Sequence, residues 1–318
     1  MDDTEECLPD NTEEKAPCGS GLTTMMMRRG CRYSDVPMTL YWVRSLDFIT
    51  NTEYYVNTST KNSLLSELAP VMYMQSDCDT ATERDHYVKK LMEYIKVDSY
   101  GACLNNKRPP PNYMTSDDYL NQLHDIELMQ FIGRYKFAVT IENGVCNDYM
   151  TEKLWRTIAA GVVPIYLGSP SVRDWLPNPK SAILLEDFPT PELMSRHLFR
   201  LLHNDTEYEE YLQHKIDQVI TNDRLIDELV SRPFQTDLTI ITAQFECLVC
   251  RRLHDNSSRV DIVVKSHCDC PMPLTALTLA PNKAGCWYRN LLEIEKEIDA
   301  LYDRIMNTTM NESTTLVI

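Results

Sequence analysis

No run of apolar residues in this 318-residue chain approaches the roughly 18 to 20 needed to span a bilayer. Its first residues, MDDTEECLPDNTEEK, carry neither the basic nor the apolar part of a signal peptide. As written, nothing here delivers the chain to a membrane. Positive charge is scarce as well: 31 Lys and Arg stand against 47 Asp and Glu, a formal net charge of −16. An acidic surface opposes the clustered cations that a nucleic acid requires, so no nucleic-acid partner is expected and any phosphate must be bound locally.

What is present describes a globular protein, 43% hydrophobic and long enough for one large or two ordinary domains. Eleven cysteines and N-x-S/T sequons at Asn57, Asn204, Asn256, Asn307 and Asn311 suit an oxidising lumen better than cytosol. An N-terminal anchor in a longer gene product, missing here, reconciles these signals with the unremarkable N-terminus.

Residues 1–30 show no helical or strand period and are expected to form a poorly ordered leader. PMTLYWV from Pro37 has a strand pattern, as has the run Val71 to Met74. ATERDHYVKKLMEYI places Tyr87, Val88, Leu91 and Ile95 at helical spacing, with Thr82 or Asp79 as a cap. VDSYG returns to a strand and turn. YKFAVTIEN is then a strand, TEKLWRTIAAG a helix stopped by Gly161, VVPIYLG and SAILLEDF strands, and PELMSRHLFRLLHN a helix. Such alternation predicts an α/β fold with a parallel sheet, a Rossmann-like domain over residues 68–245 whose ligand sits at the carboxyl ends of the strands. Residues 31–67 precede it, 246–286 are cysteine-rich, and 287–318 hold a helix and tail. In that helix Trp287, Leu291, Ile294, Ile298, Leu301 and Ile305 form an apolar stripe, expected to pack on the α/β domain rather than on a partner.

After the strand ending at Ile141, the polar loop ENGVCNDYM runs into a helix near Thr151. Free N–H groups and the positive end of the dipole favour a diphosphate there, and Lys153 and Arg156 add charge. Glu152 can accept from a ribose diol. An isolated TEK triplet would equally be a capped first turn.

The longer string YKFAVTIENGVCNDYMTEKLWRTIAAGVVPIYLG resembles the donor signature of glycosyltransferase family 10, the α-1,3/4-fucosyltransferases. Phe137, Glu142 with Asn143, Asp148 with Tyr149, Thr151 to Leu154, Gly161, Val163 and Pro164 hold its pattern positions. The likeness extends from about Arg32 to about Cys250. QSDCD, VDSYG-x-C, FECLVC and HCDCP narrow it to the α-(1,3)-fucosyltransferase 10 and 11 branch. The resemblance implies a GT-B glycosyltransferase with its C-terminal donor domain largely complete and its N-terminal acceptor domain mostly missing, residues 31–67 being the remnant of that acceptor side. It implies GDP-fucose as donor and a glycoprotein or protein acceptor, either N-acetylglucosamine or a Ser/Thr hydroxyl. It also implies residence in the Golgi or endoplasmic reticulum lumen as a type II membrane protein.

Carried over by residue, Asn143, Tyr149 and Lys153 are diphosphate contacts, Glu152 the ribose partner and Arg84 a further phosphate contact. Tyr100 and Gly101 lie near guanine. Transfer with inversion needs no metal in this family, the cations stabilising the departing diphosphate. Asp77 and Asp79 of D-C-D sit where the family pattern carries none. The general base belongs to the acceptor-side domain, and Glu5, Glu6, Glu13 and Glu14 match no such motif, so the catalytic base is unassigned. Donor binding without transfer is therefore the alternative. Cys247, Cys250, Cys268 and Cys270 could hold zinc as an interaction module. The oxidising context favours disulfides among them, while Cys78, Cys103 and Cys146 pair or stay buried.

Overall fold

A computed structural model of the chain describes residues 32, 34–108, 125–254 and 271–311. In chain order its elements are α1 (Leu46–Thr50), α2 (Thr58–Leu64), β1 (Val71–Met74), α3 (Arg84–Leu91), β2 (Val97–Tyr100), α4 (Ile126–Gly133), β3 (Phe137–Ile141), α5 (Glu152–Ala159), β4 (Val163–Leu167), β5 (Ile183–Leu184), α6 (Pro191–Leu202), α7 (Asp205–Glu209), α8 (Gln213–Ile216), α9 (Asp223–Ser231), α10 (Leu238–His254) and α11 (Cys286–Asn311). The fold is α/β, with one five-stranded sheet ordered β2-β1-β3-β4-β5. Every pairing is parallel, from Val71 opposite Val97 to Tyr166 opposite Leu184.

Helices cover both faces of the sheet, as the near-continuous apolar strands require. Val71, Tyr73, Phe137, Val139, Ile141, Val163 and Ile165 point to one face, where Tyr87, Val88 and Leu91 of α3 and Met194, Leu198 and Leu201 of α6 pack. Met72 and Ala138 point to the other and meet Leu128, Met129 and Ile132 of α4. Further along that face, Tyr166 and Leu184 meet Leu154, Trp155 and Ile158 of α5. Pro164 stands inside a central strand, which a missing N–H normally forbids. It is tolerated because β5 pairs only from Ile165 onward.

Four details depart from the sequence reading. PMTLYWV forms turns, not a strand, and sends Leu40 and Val43 against Trp155 and Trp175; no strand among the described residues pairs with it. Neither Thr82 nor Asp79 caps α3: Glu83 occupies the cap position at φ 45° without a side-chain capping bond, while Thr82 donates to the Glu142 carbonyl at 2.7 Å. SAILLEDF pairs only at Ile183–Leu184 and then tightens into a 3-10 turn over Leu185–Asp187. The stripe of α11 faces solvent, with Ile294, Ile298 and Leu301 about half exposed. Its first turn is tethered by the Trp287 indole, which donates to Asp79 at 2.8 Å.

The helix α10 runs through residue 245 without a break, and the expected leader over residues 1–30 lies outside the described residues. No helix among the described residues is long and apolar enough to cross a membrane.

Candidate functional site

In an open parallel sheet the ligand crevice opens where successive strands are laid down in opposite directions from a common start. Here that point lies between β1 and β3, since β2 is added on one side of β1 and β3, β4 and β5 on the other. The loop after β1 carries Asp77 to Arg84, and the loop after β3 carries Glu142 to Thr151. Both emerge at the carboxyl ends of adjacent strands, so residues nearly 60 positions apart meet.

Arg84 and Asn143 join the two loops. Arg84 is fully buried and donates to the Asn143 side-chain oxygen at 2.6 Å, to the Ile141 carbonyl at 3.1 Å and to the Asp77 carbonyl at 2.6 Å. Asn143 in turn donates its amide to the Asp77 carboxylate at 3.2 Å. In this arrangement Arg84 organises the strand ends, and Asn143 is the more exposed member of the pair.

At the start of α5, Thr151 adopts an extended backbone as N-cap. Its own N–H and hydroxyl both donate to the Glu142 carboxylate, at 2.8 and 2.7 Å. Glu142 thus sits fully buried at the positive end of the helix. Burial raises its pKa, and the Lys153 ammonium at 3.6 Å opposes that rise. Lys153 also donates to the Thr151 hydroxyl at 3.2 Å and to Glu152 at 3.0 Å. Burial alone would push Glu152 up, but Lys153 and Arg156 outweigh it and hold its pKa at about 2. Its carboxylate is therefore ionised and able to accept from a diol. The Tyr149 hydroxyl is shifted up, chiefly by burial, and feels Glu142, Glu152 and Arg84 together. Arg84, Asn143, Tyr149, Glu152 and Lys153 accordingly form one cluster around the head of α5.

Asp148, next to Tyr149, holds a left-handed backbone at φ 61°. Its carboxylate receives Arg32 at 2.6 Å, Ser171 at 2.7 Å and the Trp175 indole at 3.0 Å. That network fixes the turn which presents Tyr149.

Two further expected site residues, Tyr100 and Gly101, stand at the end of β2. Tyr100 is 1% exposed, packs edge-on against Phe131 and bonds the Tyr135 hydroxyl, so its ring is turned into the core. Gly101 closes the turn after β2 at φ 86°, and a Cβ there would lie 2.3 Å from the Gln75 carbonyl oxygen. Close backbone approach accounts for that glycine.

The Glu142 carboxylate and Asp77 went unassigned from sequence, although Glu142 stands at the end of β3 and nine residues before the threonine it caps. Among the described residues, Cys78, Asp85 and Cys103 are grouped at metal-ligand spacing. Cys78 and Cys103 are joined in a disulfide, however, and offer no thiolates. Cys146 and Cys286 are also disulfide-bonded. Cys247 and Cys250 are free exposed thiols on α10, in contrast to the disulfides expected of them; Cys268 and Cys270 lie outside the described residues, as do Glu5, Glu6, Glu13, Glu14 and Asn256. Asn57 and Asn204 are exposed and cap α2 and α7 through their side-chain oxygens. Asn307 and Asn311 fall on α11.

The family model for the glycosyltransferase family 10 (fucosyltransferase) C-terminal region matches residues 64–267, which include both loops of the site. Alpha-(1,3)-fucosyltransferase B of Drosophila melanogaster is 39% identical over 248 residues, covering 76% of this chain and 55% of its own length. GDP-fucose protein O-fucosyltransferase 3 of Rattus norvegicus is 37% identical over 318 residues, covering 90% and 63%. A solved α1,3-fucosyltransferase with GDP-fucose is 20% identical at a TM-score of 0.41, covering 57% of this chain and 56% of that one. The chain thus spans between 55% and 63% of the length of these two curated relatives. It belongs to glycosyltransferase family 10, the fucosyltransferases.

Proposed function

We propose that this chain binds GDP-fucose at the head of α5 and serves as the donor half of an inverting, metal-independent fucosyltransferase. The observation that carries the reading is the convergence of Lys153, Tyr149 and the Arg84–Asn143 pair on one helix N-terminus. Cleavage of the sugar–phosphate bond leaves negative charge on the diphosphate. Fixed cations and helix N–H groups stabilise that charge without reorganising. Lys153 supplies the cation at the mouth, Arg84 holds Asn143 in place, and the ionised Glu152 accepts from the ribose. Asp77 and Asp79 are engaged by Asn143 and Trp287, which supports a protein-supplied rather than metal-supplied charge.

The acceptor is a protein: its Ser/Thr hydroxyl, consistent with the protein O-fucosyltransferase name of the rat relative, or an N-acetylglucosamine that it carries, as α-1,3 activity would require. The lumen of the Golgi or endoplasmic reticulum, with a type II anchor in the full-length form, is the compartment we assign. Exposed sequons at Asn57 and Asn204 and the Cys78–Cys103 bond support it.

Calorimetric titration with GDP and GDP-fucose tests the donor site. Lys153→Ala is expected to weaken both by on the order of 10- to 100-fold, the worth of one charged contact. It is a cleaner probe than Arg84→Ala, which also strands buried carbonyls. Wild-type chain that binds neither nucleotide would overturn the proposal. Transfer of labelled fucose to peptide and to glycopeptide separates the two acceptor classes. Binding without transfer to either supports the second reading, a donor-binding chain that is catalytically incomplete, which the partial coverage of its relatives favours.

A further inference from the structure

Arg156 is a cation that the contacts above leave unmatched. It is 8% exposed, its Nε is covered without an acceptor, and its side chain makes no hydrogen bond among the described residues. Glu152, one turn earlier, attracts it without bonding to it. Burying a guanidinium in this way costs stability, and a helix such as α5 would pack as well with an apolar residue there. An acceptor that arrives from outside would account for it.

Lys153, Arg156 and Thr157 lie on one face of α5 and border a narrow, partly open cleft. Met72 and Met74 of β1, Ile132 of α4 and Ala138 of β3 form most of its remaining wall, with Gln75 at the end of β1. The free volume is about 20 Å³, room for one water-sized group, so a ligand docks at the mouth and Arg156 reaches it from within. Apolar walls that also present the Arg156 guanidinium, the Lys153 ammonium, the Gln75 amide and the hydroxyls of Thr140 and Thr157 suit a flat heteroaromatic ring bearing polar atoms on its edge. A diphosphate, by contrast, is met by Lys153 and the helix N–H groups.

We propose that Arg156 reads the base of the bound nucleotide, its guanidinium donating in parallel to two adjacent acceptors on a purine edge, as guanine presents with O6 and N7. This rests on the donor reading given above. It makes Arg156 a specificity-determining residue rather than part of the phosphate site.

Titrations of wild type, Arg156→Met and Arg156→Lys with GDP, IDP, ADP and pyrophosphate test it. Hypoxanthine keeps O6 and N7, whereas adenine replaces O6 with a donor. Wild type is expected to prefer GDP and IDP over ADP by on the order of 10- to 100-fold. Both variants are expected to lose the preference for GDP and IDP over ADP, while pyrophosphate, which carries no ribose for Glu152 to bind, stays unchanged. Lysine retains charge but not the planar fork, so it should fail as methionine does. A melting midpoint for Arg156→Met close to wild type certifies the fold, since the guanidinium removed makes no hydrogen bond of its own and keeps only the attraction of Glu152. Equal losses for all four ligands, or no loss for any, would overturn the proposal. Wild type that binds no GDP would instead remove the donor reading and this one with it.

Discussion

Glu142 shows how much of the site rests on a single carboxylate that touches no ligand. Both of its oxygens accept from Thr151, and Thr151 in turn receives Lys153, so the cation reaches its place through a chain of two side chains. Glu142→Ala would leave the Thr151 N–H and hydroxyl buried without acceptors, each worth roughly 1 to 3 kcal/mol. A stability loss of about 2 to 4 kcal/mol in urea denaturation is expected. Glu142→Gln can still accept from the N–H with its oxygen and donate to the hydroxyl with its amide. Its loss should stay within about 1 kcal/mol, while Lys153, deprived of a counter-charge, becomes easier to misplace and GDP binding weakens. Equal destabilisation by both variants would mean that the charge, not the hydrogen bonding, holds the helix start.

At the scale of elements, α5 is held at both ends. Its first turn sits on Glu142, and its last carbonyls are taken by side chains from distant segments. Lys61 donates to the Gly161 carbonyl at 2.5 Å and His214 to that of Ile158 at 3.1 Å, side-chain N–H groups satisfying carbonyls that the helix end leaves open. Burial, with Lys215 and Lys61 nearby, pushes the His214 pKa down to about 3, and its second ring nitrogen, the acceptor of the neutral ring, meets no donor among the described residues. His197 is lowered to about 4, again chiefly by burial. Unfolded histidine binds a proton near pH 6.5 while these two do not, so stability is present above 6.5 and is lost as pH falls toward 3 or 4. At pH 5 the His214 contribution amounts to about 2 kcal/mol. Melting midpoints should fall steadily below pH 6.5, and His214→Gln, which keeps the N–H to Ile158, should flatten that slope. An unchanged slope would locate the titration elsewhere. Lys215, lowered to about 7 mainly by burial, gives a second rise in stability between pH 7 and 10.5, where the unfolded chain holds a proton that the fold excludes. The apolar periods of β1, β3, β4, α5 and α6 made those elements readable, because each buries a face large enough to decide its own conformation. PMTLYWV misled for the converse reason: Leu40 and Val43 are apolar to cover Trp155 and Trp175, a demand set by helices far along the chain.

Across the molecule, the proposed donor site depends on ties between segments that no local pattern announces. Asn143, Glu152 and Lys153 could be placed from the signature, since a helix N-terminus after a strand dictates their surroundings. Arg84 could not be foreseen as buried, because its carbonyl partners come from two loops that only the β1–β3 adjacency brings together. Nor could the turning of Tyr100 into the core, which depends on Phe131 and Tyr135 from α4 and the segment after it. The Cys78–Cys103 bond is the covalent version of the same dependence. It fastens the loop after β1 to the turn after β2, immediately beside Asp77, whose carbonyl holds Arg84 and whose carboxylate holds Asn143. Opening it releases a closed loop with a sequence separation of 25, which by chain entropy costs about 3 kcal/mol. It also lets the loop leave the position that supports Arg84 and Asn143. If the competent arrangement then falls to between about a tenth and a third of the population, apparent affinity falls by the same factor. Cys103→Ser, and mild reduction of the wild type, are thus both expected to lower the melting midpoint and weaken GDP about 3- to 10-fold, with the pyrophosphate response parallel to GDP. Asp77→Ala, which keeps the disulfide and the backbone carbonyl, should reproduce part of the affinity loss with little loss of stability. A lowered midpoint with unaltered GDP affinity in Cys103→Ser would show that Asp77, Arg84 and Asn143 hold one another without the tether.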